Sequence, residues 1–103
     1  MRKGEKTEEE IKLLKAKFGK VSEVEVEDEG EKYVGYFRRP SMDTISAVTA
    51  ESKHDEVKAL EVMFANCWLG GAEEIEQDAI IKIAAMTQLS GLMGQAVGRL
   101  KNL

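Results

Sequence analysis

Residues 23–38 read EVEVEDEGEKYVGYFR, and their pattern decides the fold. Val24 and Val26 alternate with Glu23, Glu25 and Glu27, the period of two that sets one side of a strand on a core and the other in water. Asp28-Glu29-Gly30-Glu31 supplies a turn. Tyr33 to Arg38, rich in aromatic and β-branched residues, is the returning strand. A two-stranded hairpin alone is marginal in water, so something must cover it. Arg39-Pro40 stops the second strand, because the ring removes a ladder donor and holds the preceding residue extended.

The remaining patterns are helical. Upstream, Thr7 followed by Glu10 is a capping box, and Ile11, Leu14 and Phe18 form an apolar stripe with Lys12, Lys15 and Lys17 facing water. Gly19 ends that helix. Downstream, Ser41 caps a short helix holding Met42, Ile45 and Val48. A second helix starts near Ser52 to Asp55 and runs to Leu69, with Val57, Leu60, Phe64, Cys67 and Trp68 at three- and four-residue spacing, and Gly70-Gly71 terminates it. The last helix is expected from Asp78, its cap, to Leu100 or beyond. One apolar seam runs through Ile81, Ala85, Leu89, Leu92, Ala96, Leu100 and Leu103. A second runs through Ile80, Ile83, Ala84, Thr87, Gly94 and Val97. A helix apolar over most of its girth must be buried on most sides, so this one is expected to pair with another chain; the alternative is packing within the chain against the 54–69 helix. Ser90, Gly94 and Gly98 would allow close backbone approach there.

The expected fold is therefore α+β: an N-terminal helix and a two-stranded antiparallel hairpin, then a C-terminal bundle of about three helices. The 103 residues make one domain, with residues 1–40 forming the helix and hairpin and 41–103 the helical part. Hydrophobic residues are 43% and charged residues 33%, ordinary globular usage that argues against disorder. The longest uncharged stretch, Ile83 to Gly98, falls short of the roughly 20 apolar residues of a bilayer span, so no membrane partner is expected. Met1 to Lys20 has no apolar core of a secretory signal, and a single cysteine fits a reducing cytosol; the expected location is cytoplasmic. The net charge of −4 lacks the basic footprint of a nucleic-acid binder.

Reactive constellations fare poorly. His54, the one histidine, sits among polar residues at a helix start with no nucleophile elbow near it. Cys67 lies on an apolar stripe near a helix C-terminus, where the dipole disfavours a thiolate. One Cys and one His are too few for zinc. The acidic run from Glu25 fails as a calcium loop, because its twelfth position is Tyr36 rather than a bidentate Glu. Gly91, Gly94 and Gly98 match neither dinucleotide nor Walker spacing. Arg38-Arg39 beside Tyr36 and Phe37 could stack on a base, but two arginines on an acidic chain better suit a carboxylate. The expectation is a non-enzyme without cofactor or metal, acting through its surface. Trp68, Met86, Leu89, Leu92 and Met93 are the candidate partner-binding residues, since methionines and a helix-end tryptophan suit an adaptable apolar contact; the alternative, and the commoner role for such methionines, is core filling, with Trp68 capping the core.

Several strings resemble small tailed-phage proteins in or close to the tail assembly chaperone family. They are Lys15-Ala16-Lys17-Phe18-Gly19-Lys20-Val21, Glu23-Val24-Glu25-Val26, Tyr36-Phe37-Arg38-Arg39-Pro40-Ser41, and Cys67-Trp68-Leu69-Gly70-Gly71-Ala72-Glu73-Glu74 before a long apolar helix. The resemblance implies an α+β domain in host cytoplasm that associates with a tape-measure-type protein and shields its apolar helical segments during tail assembly. A homo-oligomer binding a phage tail component is the matching partner expectation. The alternative is a structural minor tail or head–tail joining protein of the virion.

Overall fold

The computed structural model describes residues 1–103. Helix α1 (Glu8–Phe18) begins at the expected capping box: Glu10 N–H donates to the Thr7 hydroxyl at 3.2 Å, and Thr7 N–H donates to the Glu10 carboxylate at 3.0 Å. Gly19, at φ 84°, closes it by donating to the Lys15 carbonyl. Strands β1 (Val21–Asp28) and β2 (Glu31–Arg38) pair antiparallel from Val21↔Arg38 to Asp28↔Glu31. Glu29 and Gly30 form the turn at φ 50° and 80°. Two consecutive positive φ values are what a tight two-residue hairpin turn needs to follow the strand twist.

The hairpin is two-thirds of a sheet rather than the whole of it. A third strand, β3 (Trp68–Gly71), pairs antiparallel with the other side of β2, giving the order β1–β2–β3. Gly70-Gly71 therefore does more than terminate a helix. Gly71 stands opposite Gly35, and a Cβ on Gly71 would strike the Val34 carbonyl oxygen and lie 2.8 Å from the Gly35 Cα. A glycine at 71 lets the two backbones approach so closely, and the missing Cβ of Gly35 makes room for the Trp68 and Ile75 side chains. The N-terminus extends the same side of β2: Lys3 N–H donates to the Lys32 carbonyl and the Lys3 carbonyl accepts from Val34 N–H, a parallel bridge to Tyr33.

Helix α2 (Met42–Ser52) starts at Ser41, whose hydroxyl accepts from Thr44 N–H, and packs against α3 (Glu56–Cys67), capped by Asp55. A short α4 (Glu73–Gln77) follows β3, then α5 (Ala79–Leu89), whose first turn is held by the Asp78 carboxylate. In place of a three-helix bundle, α3, α4 and α5 supply Met63, Phe64, Cys67, Ile75, Ile81, Ala85, Met86 and Leu89 to a core shared with Val24, Val26, Tyr33 and Phe37 of the sheet. The other face of β2 is enclosed too, with Val34 and Tyr36 fully buried, which is why five successive residues from Tyr33 to Phe37 are buried.

The last helix is shorter than its apolar pattern. α5 stops at Leu89, a 3-10 turn covers Ser90–Gly94, and residues 95–103 carry no helix or strand. The buried seam runs Ile81, Ala85, Leu89 and fades at the half-buried Leu92. Beyond that point no burial offsets Gly91, Gly94 and Gly98, each costing up to about 1 kcal/mol in a helix relative to alanine. The Ser90 hydroxyl also donates to the Thr87 carbonyl at 2.7 Å, a local bond that competes with helix continuation. Within the chain the glycines serve no close packing, since a Cβ at Gly91, Gly94 or Gly98 would meet nothing within 4 Å.

Candidate functional site

The five candidate contact residues separate into three environments. Met86 and Leu89 are core residues, 2% and 1% exposed, and cannot form a contact surface in the folded chain. The reason is geometric: Met86 lies one turn before Leu89 on the stripe that faces the sheet. Trp68 is half-buried in β3, stacked on Phe64 at 5.1 Å between ring centroids and edge-on to Phe37 at 5.4 Å. Leu92 and Met93 do reach the surface, where they line a shallow cavity of about 210 Å³ with Arg39, Pro40 and Ile45.

The larger apolar surface lies on the other seam of α5. Ile80 is 74% and Ile83 50% exposed, and Ala84 and Thr87 continue the same outward face. The single charge on α5 is Lys82, which turns back to lie 5.0 Å over the Phe64 ring. An open helix face without charge is thus built at Ala79–Thr87, and Asp78 fixes where it begins. Exposed apolar residues grouped in this way mark contact sites more often than isolated ones do. Met93, Val97, Leu100 and Leu103, all exposed, carry the apolar surface on past the helix.

Groups with reactive potential are held elsewhere. Cys67 is fully enclosed, its thiol 3.9 Å from the Met63 sulfur, and burial pushes its pKa up. His54 is exposed on the turn between α2 and α3. No group of three or more His, Cys, Asp or Glu side chains is placed to hold a metal ion, and no helix is long and apolar enough to cross a membrane.

A clasp of charges joins the N-terminus to β1, and nothing in the sequence pattern flagged it. The Arg2 guanidinium donates to Glu5 at 2.7 Å, to both oxygens of Glu23 at 2.8 and 3.1 Å, and to Glu25 at 3.2 Å. The Tyr36 hydroxyl accepts from Lys6 N–H at 3.0 Å and donates to Glu23 at 3.2 Å. Arg2, and after it Tyr36, holds the Glu23 carboxyl below its ordinary range, while burial raises the Tyr36 phenol. A carboxyl depressed by folding contributes stability that is present above its unfolded pKa and is lost as the pH falls through the folded value. Urea midpoints measured from pH 7 down to pH 3 should therefore fall below about pH 5, modestly because the pair is partly solvent-screened. Glu23→Gln should lower the midpoint at pH 7 and flatten that part of the profile.

No protein-family model matches this chain, and no curated protein matches it. Among solved structures it is similar to the uncharacterised protein rbstp2171 of Bacillus stearothermophilus, with a TM-score of 0.63 and 23% identity over 89% of this chain and 99% of the other. At that identity the likeness speaks to the fold alone.

Proposed function

We propose that this protein is a non-enzymatic assembly factor that binds and shields apolar helical segments of a partner protein. In this reading it acts in host cytoplasm during phage tail assembly, and its client is a tape-measure-type protein. The observation that carries the reading is the uncharged outer face of α5, with Ile80 and Ile83 open to solvent. An amphipathic client helix laid along that face would bury both side chains, each contributing about 1.5–3 kcal/mol. Helix-against-helix recognition reads apolar anchors at three- and four-residue spacing, which is how Ile80, Ile83, Ala84 and Thr87 fall. The tail-chaperone resemblance of the segments around Phe18, Tyr36 and Trp68 supplies the biological setting.

The contact residues of this reading are Ile80 and Ile83 with Met93, joined by Leu92 at the cavity rim. Co-expression with the long coiled-coil protein of the same tail gene cluster should keep that partner soluble and in complex. Ile80→Asp with Ile83→Asp should weaken the complex at least about 100-fold, the two lost burials combined. The thermal midpoint should stay near that of the unaltered protein, since exposed positions shift stability little. A complex that survives the double substitution overturns the reading. So does recovery of the protein as a fixed component of finished particles, which would favour a structural virion protein.

A further inference from the structure

β1 is one outer edge of the sheet, so one row of its backbone N–H and C=O groups has no strand beside it. A groove of about 210 Å³ follows this edge, walled by Ser22, Glu23, Val24 and Glu25 on one side and by Gln88, Leu89, Leu92 and Gln95 on the other. The segment 96–103 leaves the body at Gln95, at the mouth of that groove, yet none of its residues lines it. It stands clear of the body instead, with Val97, Leu100 and Leu103 at 74%, 92% and 112% exposure. The molecule is correspondingly long, 52 × 35 × 22 Å, and its radius of gyration is 14.9 Å, where a compact chain of this length has about 13 Å.

The charges of edge and arm fit one another. Glu23, Glu25 and Glu27 form one acidic row on β1, where Arg2 lies across Glu23 and Glu25 and Glu27 is free of ion pairs, and Val24 and Val26 point to the opposite, core-side face. Glutamates standing opposite one another disfavour the pairing of two copies of β1. In the arm, Val97, Arg99, Lys101 and Leu103 share one parity while Ala96, Gly98, Leu100 and Asn102 share the other. Laid along β1 in either direction with Arg99 or Lys101 opposite a glutamate, both cations fall on the acidic face. Leu100 then falls on the face of Val24 and Val26, beside Leu89 and Leu92 of the groove wall.

We propose that the arm 96–103 of one copy adds as a fourth strand to the β1 edge of a second copy, and that the exchange is reciprocal. Each copy contributes an arm and an edge, so the pair closes on itself as a two-fold dimer. Main-chain hydrogen bonds along the edge supply affinity, and the alternate cations supply selectivity for this strand over others. The outer face of α5 is not used, so the dimer stands whether or not that face binds a client.

Sedimentation equilibrium of the full chain at tens of micromolar should give a dimer, and a chain shortened to end at Gln95 should sediment as a monomer. Arg99→Glu with Lys101→Glu should weaken the dimer about tenfold or more, as cross-strand attraction turns to repulsion. Adding Glu27→Lys, at a position free of ion pairs in the monomer, should recover part of that loss. Far-ultraviolet circular dichroism of all three should keep the helical signal of the body and lose no more than the strand that the arm adds in the dimer, since none touches the core. A monomeric full chain overturns the proposal and would leave the arm to its own edge or to none. A dimer indifferent to shortening or to charge reversal overturns it too, as does a reversal that Glu27→Lys fails to relieve.

Discussion

Gly71→Ala is expected to remove a large fraction of the protein's folding stability. Gly71 sits at φ 142°, a conformation side chains rarely adopt, and its missing Cβ is what admits the Val34 carbonyl. The backbone strain alone costs about 1–3 kcal/mol. The steric cost comes on top of it, because the obstacle is backbone on a central strand rather than the tip of a flexible side chain. Relief requires moving β3 away from β2, which also loosens the bond from Ala72 N–H to the Val34 carbonyl at 2.9 Å. The combined loss of about 3 kcal/mol or more is a large fraction of the roughly 5–15 kcal/mol by which domains are stable. Urea unfolding followed by circular dichroism should show the midpoint collapse. Gly91→Ala provides the control: a Cβ there meets nothing within 4 Å, so its midpoint should hold or rise. A normal midpoint for Gly71→Ala would mean that β3 is not held against β2 as described.

The contrast between these two glycines explains what could be read from the sequence. Thr7 with Glu10, Ser41, Asp55 and Asp78 mark helix starts by bonds to residues two or three places away, so local sequence contains the whole cause. The β1–β2 hairpin is equally local. β3 is not: a tryptophan, a leucine and two glycines have no strand pattern of their own, and only the surface of β2 makes them one. The N-terminal clasp was hidden for the same reason, because Arg2 and Lys3 read as solvated charge until β1 and β2 stand beside them. α5 shows the converse error. Its apolar period continues past Leu89, but period without a surface to cover does not stabilise a helix through three glycines.

Of the five residues expected at a contact surface, Met86 and Leu89 are buried and Trp68 is half-buried, while Leu92 and Met93 reach the surface. Two apolar seams on α5 were visible, and nothing in their composition says which one meets the sheet. Ile81, Ala85 and Leu89 do, taking Met86 with them, so the open seam is the one through Ile80 and Ile83. The surplus of apolar area expected of this segment is present, but it faces outward from α5 and along the arm. An unbroken helix running to Leu100 does not carry it.

Phe37→Ala is the second substitution with a large expected effect, and it tests whether sheet and helices share one core. Phe37 is fully buried on β2, its ring edge-on to Phe64 of α3 at 5.5 Å and to Trp68 of β3 at 5.4 Å. One ring therefore joins the hairpin to α3 and β3, some 30 residues further along the chain. Truncation to alanine removes the burial and leaves a cavity, a loss of about 3–5 kcal/mol for a buried phenylalanine. The two edge-on contacts, each worth about 0.5–1.5 kcal/mol beyond area, place this site at the upper end. Phe37→Leu keeps most of the volume and should recover more than half of the loss. The readout is the urea midpoint together with Trp68 fluorescence: a ring freed from its Phe37 contact should emit further to the red even before unfolding. If Phe37→Ala lost under about 1 kcal/mol, the value of an ordinary substitution, the hairpin and the helices would be stable separately. The fixed position of α5, on which its outward face depends, would then have another cause.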